Sequence, residues 1–448
     1  MIKPIVLALI TSLGLSYALT GHATDLIEIY QQAAAHNATY QSAMSTYQAA
    51  KYGVPISRAA LLPAVSLTAN TTSNYKNPND PTRYNSNGYT LTLTQPIFNW
   101  GSWKAYTQAE YTLKLAAITY AQAQQTLVMS VANAYFAVLE AQDQLRYAEK
   151  NEASLKQQMN QTDEQYKVGL KALTDVESTR ASYETAIAST VAAENSLQNS
   201  MEALMVVTGR PESHLSPLEA NFPLIKPQPD NSDTWVQFGL EHNLALASAN
   251  LTAQIQKLGI DIAKAGTAVS PGYLPTLTGT GTYGSAKDNS NTNGNVTTGT
   301  ASIGINWQLF NGGQTYATVK QADYNYQADA ATLEATRRST ISNVRQSYLN
   351  ILSDISQVQA LNQAVISGES SLNATRQAYL VGARTIVDVL TQQSDLFDSQ
   401  QQYAEAVYNY ITDSLNLKLN AGTISEQDIA AINQWLVQPH SVAKRPVQ

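Results

Sequence analysis

The feature that most restricts how this chain can fold is a stretch of 67 residues, 102–168, without glycine or proline. These two residue types are the least favourable inside helices, so the stretch predicts one helix that extends roughly 100 Å at about 1.5 Å per residue. Similar stretches cover 170–208, 314–367 and 383–421, and Gly368 is the one glycine between 314 and Gly382. The pattern predicts two hairpins, each with a very long helix, a glycine turn and a returning helix.

The two hairpins belong to an internal repeat. Five landmarks recur in the same order, displaced by 212 or 213 residues: Leu-Pro at 62–63 and 274–275, Phe-Asn at 98–99 and 310–311, Val-Gly at 168–169 and 381–382, Asp-Val at 175–176 and 388–389, and glycine at 209 and 422. This order predicts a duplicated unit. We expect a first repeat at 24–210, a proline-rich linker at 211–233, a second repeat at 234–422 and a C-terminal segment at 423–437.

The periodicity of the first long helix predicts coiled-coil packing. Alternate steps of three and four from Leu113 to Met159 visit fourteen positions, of which twelve are apolar or aromatic, and a sustained seven-residue repeat is typical of coiled coils. Most of these residues are Ala, Val and Tyr, and Tyr135, Phe136 and Leu139 form a second seam. A helix with two seams has a neighbour on each side, which favours a sheet or cylinder of helices over an isolated dimer. An ordinary globular bundle is the alternative.

A period of two precedes each long helix. Apolar residues or glycines alternate with polar residues at 65–69, 89–94, 277–283 and 301–307, which is the rhythm of a transmembrane β-strand. The segments between paired strands, 73–88 and 285–299, are rich in Asn and are predicted to be exposed loops. Aromatic residues stand where strand gives way to helix, either as a membrane-interface girdle or as packing at the corner; they are Phe98, Trp100, Trp103, Trp307 and Phe310.

Four strands cannot close a barrel, and an open sheet edge in lipid leaves backbone groups unpaired. Two copies would give eight strands, whose interior side chains nearly fill, whereas three copies begin to enclose a water-filled lumen. A homotrimer is therefore the better prediction for a conduit, with the long helices extending into the periplasm. The predicted fold is mainly α, with α-barrel helical hairpins and four strands per chain in a twelve-stranded trimeric β-barrel.

The N-terminus predicts export. Lys3 precedes an apolar stretch at 5–19, and Gly21-His22-Ala23 offers small residues for cleavage, so we expect a signal peptide at 1–23; an uncleaved membrane helix is the alternative. The chain has no cysteine, which excludes lipid attachment at a cysteine. Residues 438–448 are predicted to form a disordered tail. Only 14% of the residues are charged, against about 25% in a typical soluble domain, and scattered basic residues argue against a nucleic-acid partner.

With these segments in view, the chain resembles the TolC family of trimeric outer-membrane efflux and secretion channels over about residues 24–437. The most specific stretches are 379–390 (YLVGARTIVDVL), 168–176 (VGLKALTDV) and 417–427 (LKLNAGTISEQ). They are closer to the branch that gives the family its name than to the lipidated branch. The resemblance implies a twelve-helix tunnel and an equatorial belt, to which the linker and the C-terminal segment contribute.

The resemblance also implies site residues. Matching residues of the family hold the periplasmic entrance closed through a network at Thr174, Asp175, Tyr379 and Arg384, and Asp388 matches the pore constriction. Asp175 and Asp388 each lie six residues beyond a glycine turn, which predicts about 9 Å along a helix; without the resemblance, both are ordinary solvated carboxylates. Tips that receive an adaptor match Val168, Gly169, Leu170, Val381, Gly382 and Ala383.

One departure stands at Thr391, where the family carries a second acidic ring; weaker block by multivalent cations is expected here. The predicted function is a passive conduit for drug efflux or type I protein secretion, recruited by a periplasmic adaptor and an inner-membrane pump of the RND, ABC or MFS type. A non-conducting structural or adhesive coiled-coil trimer is the alternative. No catalytic, cofactor or metal constellation is predicted, since the five histidines are dispersed and not spaced to share a metal.

Overall fold

A computed structural model describes residues 24–75, 83–212, 214–219, 221–267, 270, 272–288 and 294–437. The predicted signal peptide at 1–23 and the predicted tail at 438–448 lie outside the described residues. Helices and strands follow one another as α1 Leu26–His36, α2 Ala38–Lys51, α3 Gly53–Ala59, β1 Ala64–Tyr75, β2 Arg83–Phe98, α4 Trp100–Lys167, α5 Leu173–Thr208, α6 Ser232–His242, α7 Leu244–Ala265, β3 Thr276–Asp288, β4 Val296–Asn306, α8 Gln314–Leu380, α9 Ile386–Asn420 and α10 Glu426–Asn433.

The element order confirms the internal duplication. Each half runs from short helices through an antiparallel strand pair to a very long helix and a returning helix. The long helices α4 and α8 contain 68 and 67 residues, or roughly 100 Å each. Gly368 lies inside α8 without ending it, and a Cβ at this position would come within 3.3 Å of Leu396 of α9. No helix in the described part of the chain is both long enough and apolar enough to cross a membrane.

The four strands form one sheet in the order β1-β2-β3-β4, with antiparallel neighbours throughout. The prediction of loops at 73–88 and 285–299 is wrong for most of their described residues. Strand pairing continues to Tyr75 opposite Arg83 and to Ala286 opposite Val296. Polar side chains do not interrupt a backbone ladder, and here they reinforce it, because the Asn74 amide donates to Ser86 Oγ over 2.9 Å.

The predicted seams of α4 are confirmed where the helices are packed most densely. Of the heptad positions, Leu127, Val131 and Val138 are buried, and the second seam of Tyr135, Phe136 and Leu139 is buried as well. Residues of α4, α8 and α9 share one apolar core with α1, α6 and α10. Two seams on one helix therefore correspond to neighbours on two sides.

Hydrogen bonds of tyrosine and tryptophan side chains attach the backbone of the proline-rich linker to this core. The Tyr135 hydroxyl donates to the carbonyl oxygen of Ser216 over 2.8 Å, and the backbone N–H of Ile225 donates to the Tyr410 hydroxyl over 2.7 Å. The indole N–H of Trp235 donates to the carbonyl oxygen of Pro229 over 2.9 Å. These bonds satisfy the polar backbone of a proline-rich segment against buried helices.

Loss of one such bond should destabilise the middle of the molecule. Tyr135→Phe keeps the buried ring and removes the donor to Ser216, so we expect a loss of about 1 kcal/mol of unfolding free energy. Tyr324→Phe is the matched control, because that side chain on α8 is 65% exposed. Denaturant midpoints of the two variants measure the difference, and equal midpoints would show that the bond does not contribute.

Candidate functional site

The two hairpin turns are built alike. At the first, the backbone N–H of Leu170 donates to the carbonyl oxygen of Gln165 over 2.8 Å, and at the second Ala383 donates to Ala378 over 2.8 Å. Gly169 and Gly382 have φ of 76° and 78°, a left-handed conformation that ends helices and favours glycine. Both long helices therefore end in the same backbone conformation.

Apolar side chains flank both turns and point into solvent in the single chain. Val168, Leu170 and Val381 are 70%, 73% and 80% exposed. No atom lies within 4 Å of a Cβ placed on Gly169 or Gly382, so the backbone is open to a partner at both turns. Apolar residues clustered at an exposed tip are typical of an interaction surface.

The two aspartates are not separated from the turns by six helical residues. Asp175 and Asp388 belong to the first helical turns of α5 and α9, so the prediction of about 9 Å along a helix is wrong. The chain leaves each glycine through three further non-helical residues before the returning helix begins at Leu173 or Ile386. A carboxylate in the first turn of a helix interacts favourably with the unpaired N–H groups there.

Asp388 is held by its own helix start. Its carboxylate accepts hydrogen bonds from the backbone N–H of Thr385 over 2.9 Å and from the Thr385 hydroxyl over 3.0 Å. A guanidinium nitrogen of Arg384 lies 4.0 Å from the other carboxylate oxygen. The backbone bond, the hydroxyl bond and the charge of Arg384 together lower the pKa of Asp388 below its usual value.

Tyr379 lies at the end of α8, just before the second turn. Its ring is buried beneath the ammonium group of Lys171, which is 4.1 Å from the ring centre. The Tyr379 hydroxyl is buried and has no hydrogen-bond partner among the described residues. A buried hydroxyl without a partner costs free energy, so this conformation of Tyr379 carries an energetic penalty.

The four residues of the predicted entrance network are thus brought to one end of the molecule but not joined. Lys171 on the first turn covers Tyr379 on the second, whereas Thr174 is exposed and Asp175 is half-buried. Within the described residues, Arg384 pairs with Asp388 and not with Asp175. The network that would hold the entrance closed remains a prediction.

The aromatic residues at the strand–helix junctions are exposed in the single chain, from 44% for Phe98 to 83% for Phe310. The corner itself closes through glycine, because a side chain at Gly101 would overlap the carbonyl oxygen of Gly266. At the second junction, the indole N–H of Trp307 donates to the carbonyl oxygen of Tyr273 over 3.2 Å, so packing at the corner stays the alternative interpretation. The girdle interpretation of Trp100, Trp103 and Trp307 stays a prediction.

A polar cluster that sequence reasoning missed lies farther from the turns. Arg376 on α8 donates to Ser154 Oγ on α4 over 2.7 Å and to Gln393 Oε1 on α9 over 2.5 Å. The Gln393 amide in turn donates to Asn151 Oδ1 on α4 over 3.0 Å. The available signal was an arginine three residues before Tyr379 in a charge-poor chain, but its partners are distant in sequence.

Comparisons with known proteins agree with this architecture. The family model described as outer membrane efflux protein matches residues 29–210 and 235–423. The outer membrane protein TolC of Escherichia coli strain K12 is 36% identical over 451 residues, which cover 97% of this chain and 90% of that protein. The alkaline protease secretion protein AprF of Pseudomonas aeruginosa is 26% identical over 439 residues, covering 94% of this chain and 89% of that protein. The crystal structure of the Campylobacter jejuni CmeC outer membrane channel has the same fold, with a TM-score of 0.77 at 16% identity, covering 92% of this chain and 90% of that one.

The hydrogen bonds at the start of α9 predict a pH effect. Because the pKa of Asp388 is lowered in the folded protein, its ionisation adds stability above the usual aspartate pKa, and this stability is lost as pH falls through the lowered pKa. Thr385→Ala removes the hydroxyl, so the Asp388 pKa should rise towards its usual value. The difference in denaturant midpoint between about pH 6 and about pH 3 should shrink.

Thr391→Ala is the matched control, because in the described part of the chain the Thr391 hydroxyl bonds to the carbonyl oxygen of Val387 within its own helix. An unchanged pH dependence in Thr385→Ala would show that the hydroxyl does not stabilise the carboxylate.

Proposed function

This chain belongs to the outer membrane efflux protein family, and from that premise we propose that it is the exit duct through which an inner-membrane pump delivers substrates across the outer membrane. The observation that carries this function is the 36% identity to TolC over 97% of the chain, together with the relationship to a protease secretion protein. The protein is located in the outer membrane, with its helical tunnel in the periplasm. The non-conducting coiled-coil alternative is not favoured, because this chain is related to TolC and to a protease secretion protein.

We propose a homotrimer as the functional unit. The sheet order leaves β1 and β4 as edges, each with one neighbour, and a sheet edge in lipid must find a partner. Three chains would supply twelve strands, and each β4 would pair with β1 of the next chain. Three pairs of hairpins would then surround one tunnel, which a passive conduit needs and an enzyme does not.

The closed entrance is proposed to depend on contacts between the hairpin ends. Arg384 is 61% exposed beside Asp388, so its guanidinium is free to reach carboxylate and hydroxyl acceptors such as Asp175 and Thr174 on a neighbouring chain. The Tyr379 hydroxyl, which has no partner among the described residues, would join these contacts after its side chain turns outward. Opening would be an outward untwisting of the α8–α9 hairpins after these contacts break.

A periplasmic adaptor is proposed to dock at the two turns. Both present exposed apolar side chains beside an open glycine backbone, at Val168, Gly169, Leu170, Val381, Gly382 and Ala383. Exposure of these apolar side chains to water is unfavourable, and they can interdigitate with a helical partner. An inner-membrane pump of the RND, ABC or MFS type would supply the energy, since nothing in the proposed mechanism consumes fuel in the duct itself.

Loss of the entrance contacts should open the channel. The double variant Arg384→Ala with Tyr379→Phe removes the guanidinium and the buried hydroxyl, so single-channel conductance in planar bilayers should rise. Arg180→Ala is the control, because Arg180 is an exposed arginine of α5 whose ion pair is with Glu177 of its own helix. Conductance equal to that of the control variant would rule out the assigned network.

Adding a second acidic position should strengthen the block of the channel by multivalent cations. Thr391 follows Asp388 by about one helical turn, so Thr391→Asp would add a second ring of carboxylates to the constriction of a trimer. A denser negative ring binds multivalent cations more strongly. The cation concentration for half-block should fall in Thr391→Asp and not in Thr391→Asn, and equal block in both would argue that Thr391 does not face the lumen.

A further inference from the structure

The polar cluster around Arg376 joins the two hairpins of one chain. Ser154 and Asn151 belong to α4 of the first hairpin, whereas Arg376 and Gln393 belong to α8 and α9 of the second. One guanidinium nitrogen of Arg376 bonds to both Ser154 and Gln393, at 2.7 and 2.5 Å. Ser154 Oγ also lies 3.3 Å from Gln393 Oε1, which closes the cluster.

This arginine has no charged partner. Among the described residues it makes no ion pair, and its acceptors are a hydroxyl and an amide oxygen. Burial alone lowers the pKa of Arg376, but a guanidinium remains protonated in proteins. A half-buried charge that cannot be neutralised needs its hydrogen bonds, and bonds to charged groups are among the stronger ones in proteins.

Near the turns, the two hairpins are joined by this cluster and by the Lys171 ammonium group over the Tyr379 ring. The apolar cluster near the second turn consists of Leu372, Tyr379, Ile386, Val389 and Leu396, all on α8 and α9. It holds the second hairpin together but does not join it to the first. Beside the polar cluster, a cleft of about 410 Å³ separates α4 and α5 from α9, and Asn151 and Gln393 lie on its wall.

We propose that Arg376 is a positioning residue that latches the α8–α9 hairpin to α4, and that the latch must release when the second hairpin swings away from the first. The inference rests on the proposed function, because it adds a second restraint on opening to the contacts at the hairpin ends. The latch lies within one chain and uses neutral acceptors, so it holds at any pH at which the entrance carboxylates titrate.

Two variants should move the latch in opposite directions. Arg376→Ala removes the donor, and because a hydrogen bond to a charged group shifts an equilibrium by roughly tenfold or more, the open state should become roughly tenfold more populated. Gln393→Glu places a carboxylate against the guanidinium, which strengthens the bond, while Asn151 can turn its amide to donate. This variant should hold the hairpins closer and lower the population of the open state.

The distance between hairpins tests the latch without any transport. The chain has no cysteine, so cysteines introduced at the exposed positions Lys150 of α4 and Asn373 of α8 can carry spin labels. Labelled chains, diluted with unlabelled chains in the purified full-length protein, report the distance within one chain by pulsed electron resonance. Arg338→Ala is the control, since Arg338 is an exposed arginine of α8 that pairs with Glu334 of the same helix.

A broader and longer distance in Arg376→Ala, a narrower one in Gln393→Glu and no change in Arg338→Ala would support the latch. The reversal in Gln393→Glu is the decisive result, because simple structural damage would not tighten the hairpins. Unchanged distances in both variants would overturn the inference even if the protein conducts ions. Absence of conductance in every variant, with the distances shifted as expected, would instead contradict the proposed function and leave the latch standing.

Discussion

The packing of α4 against its neighbours is the interaction on which the rest of the molecule depends. A helix of about 100 Å cannot be held by one short contact, and α4 solves this with two apolar seams. Its central part, from Leu127 to Leu139, lies in the core shared with α8, α9 and the short helices. Because the linker also attaches there, through Tyr135 and Tyr410, the middle of the molecule is its fixed point.

Away from that core, the helices have progressively less apolar surface to bury within one chain. Near the turns, the apolar cluster is confined to α8 and α9. Contacts between the hairpins there include the polar side chains around Arg376 and Gln393 and the Lys171 ammonium group over the Tyr379 ring. Polar contacts hold a geometry while contributing modest net stability, so they can exchange when a hairpin moves. The middle of the long helices has a dense apolar core, whereas polar contacts join the hairpins near the turns. This arrangement suits a tunnel that is fixed at its middle and opens at its end.

Much of the fold follows from the sequence because its signals are long and repeated. The lengths of α4 and α8, the glycine turns and the duplication were all predicted from spacing, and the seam residues Val131 and Val138 are buried as expected. The loops at 73–88 and 285–299 were wrongly predicted because Asn and Ser are poor strand formers, yet cross-strand backbone pairing overrides that propensity. The positions of Asp175 and Asp388 were misjudged because a glycine turn is followed by further non-helical residues.

The candidate site was less predictable for a physical reason. Periodicity shows which face of a helix is apolar, but not where two hairpins come together, so the bonds of Arg376 to Ser154 and Gln393 had no signal in spacing. The residues of the entrance network were found by family resemblance. Contacts among these residues stay a prediction, and periodicity along one helix carries no information about contacts between the ends of different helices.

The central claim is that this protein forms a water-filled conduit. Ion conductance of the purified full-length protein in planar lipid bilayers tests it most directly. The account predicts discrete single-channel steps of uniform size, as expected when three chains enclose one tunnel. A protein that inserts into the bilayer as a trimer and passes no ions, even in variants without the entrance contacts, would contradict it.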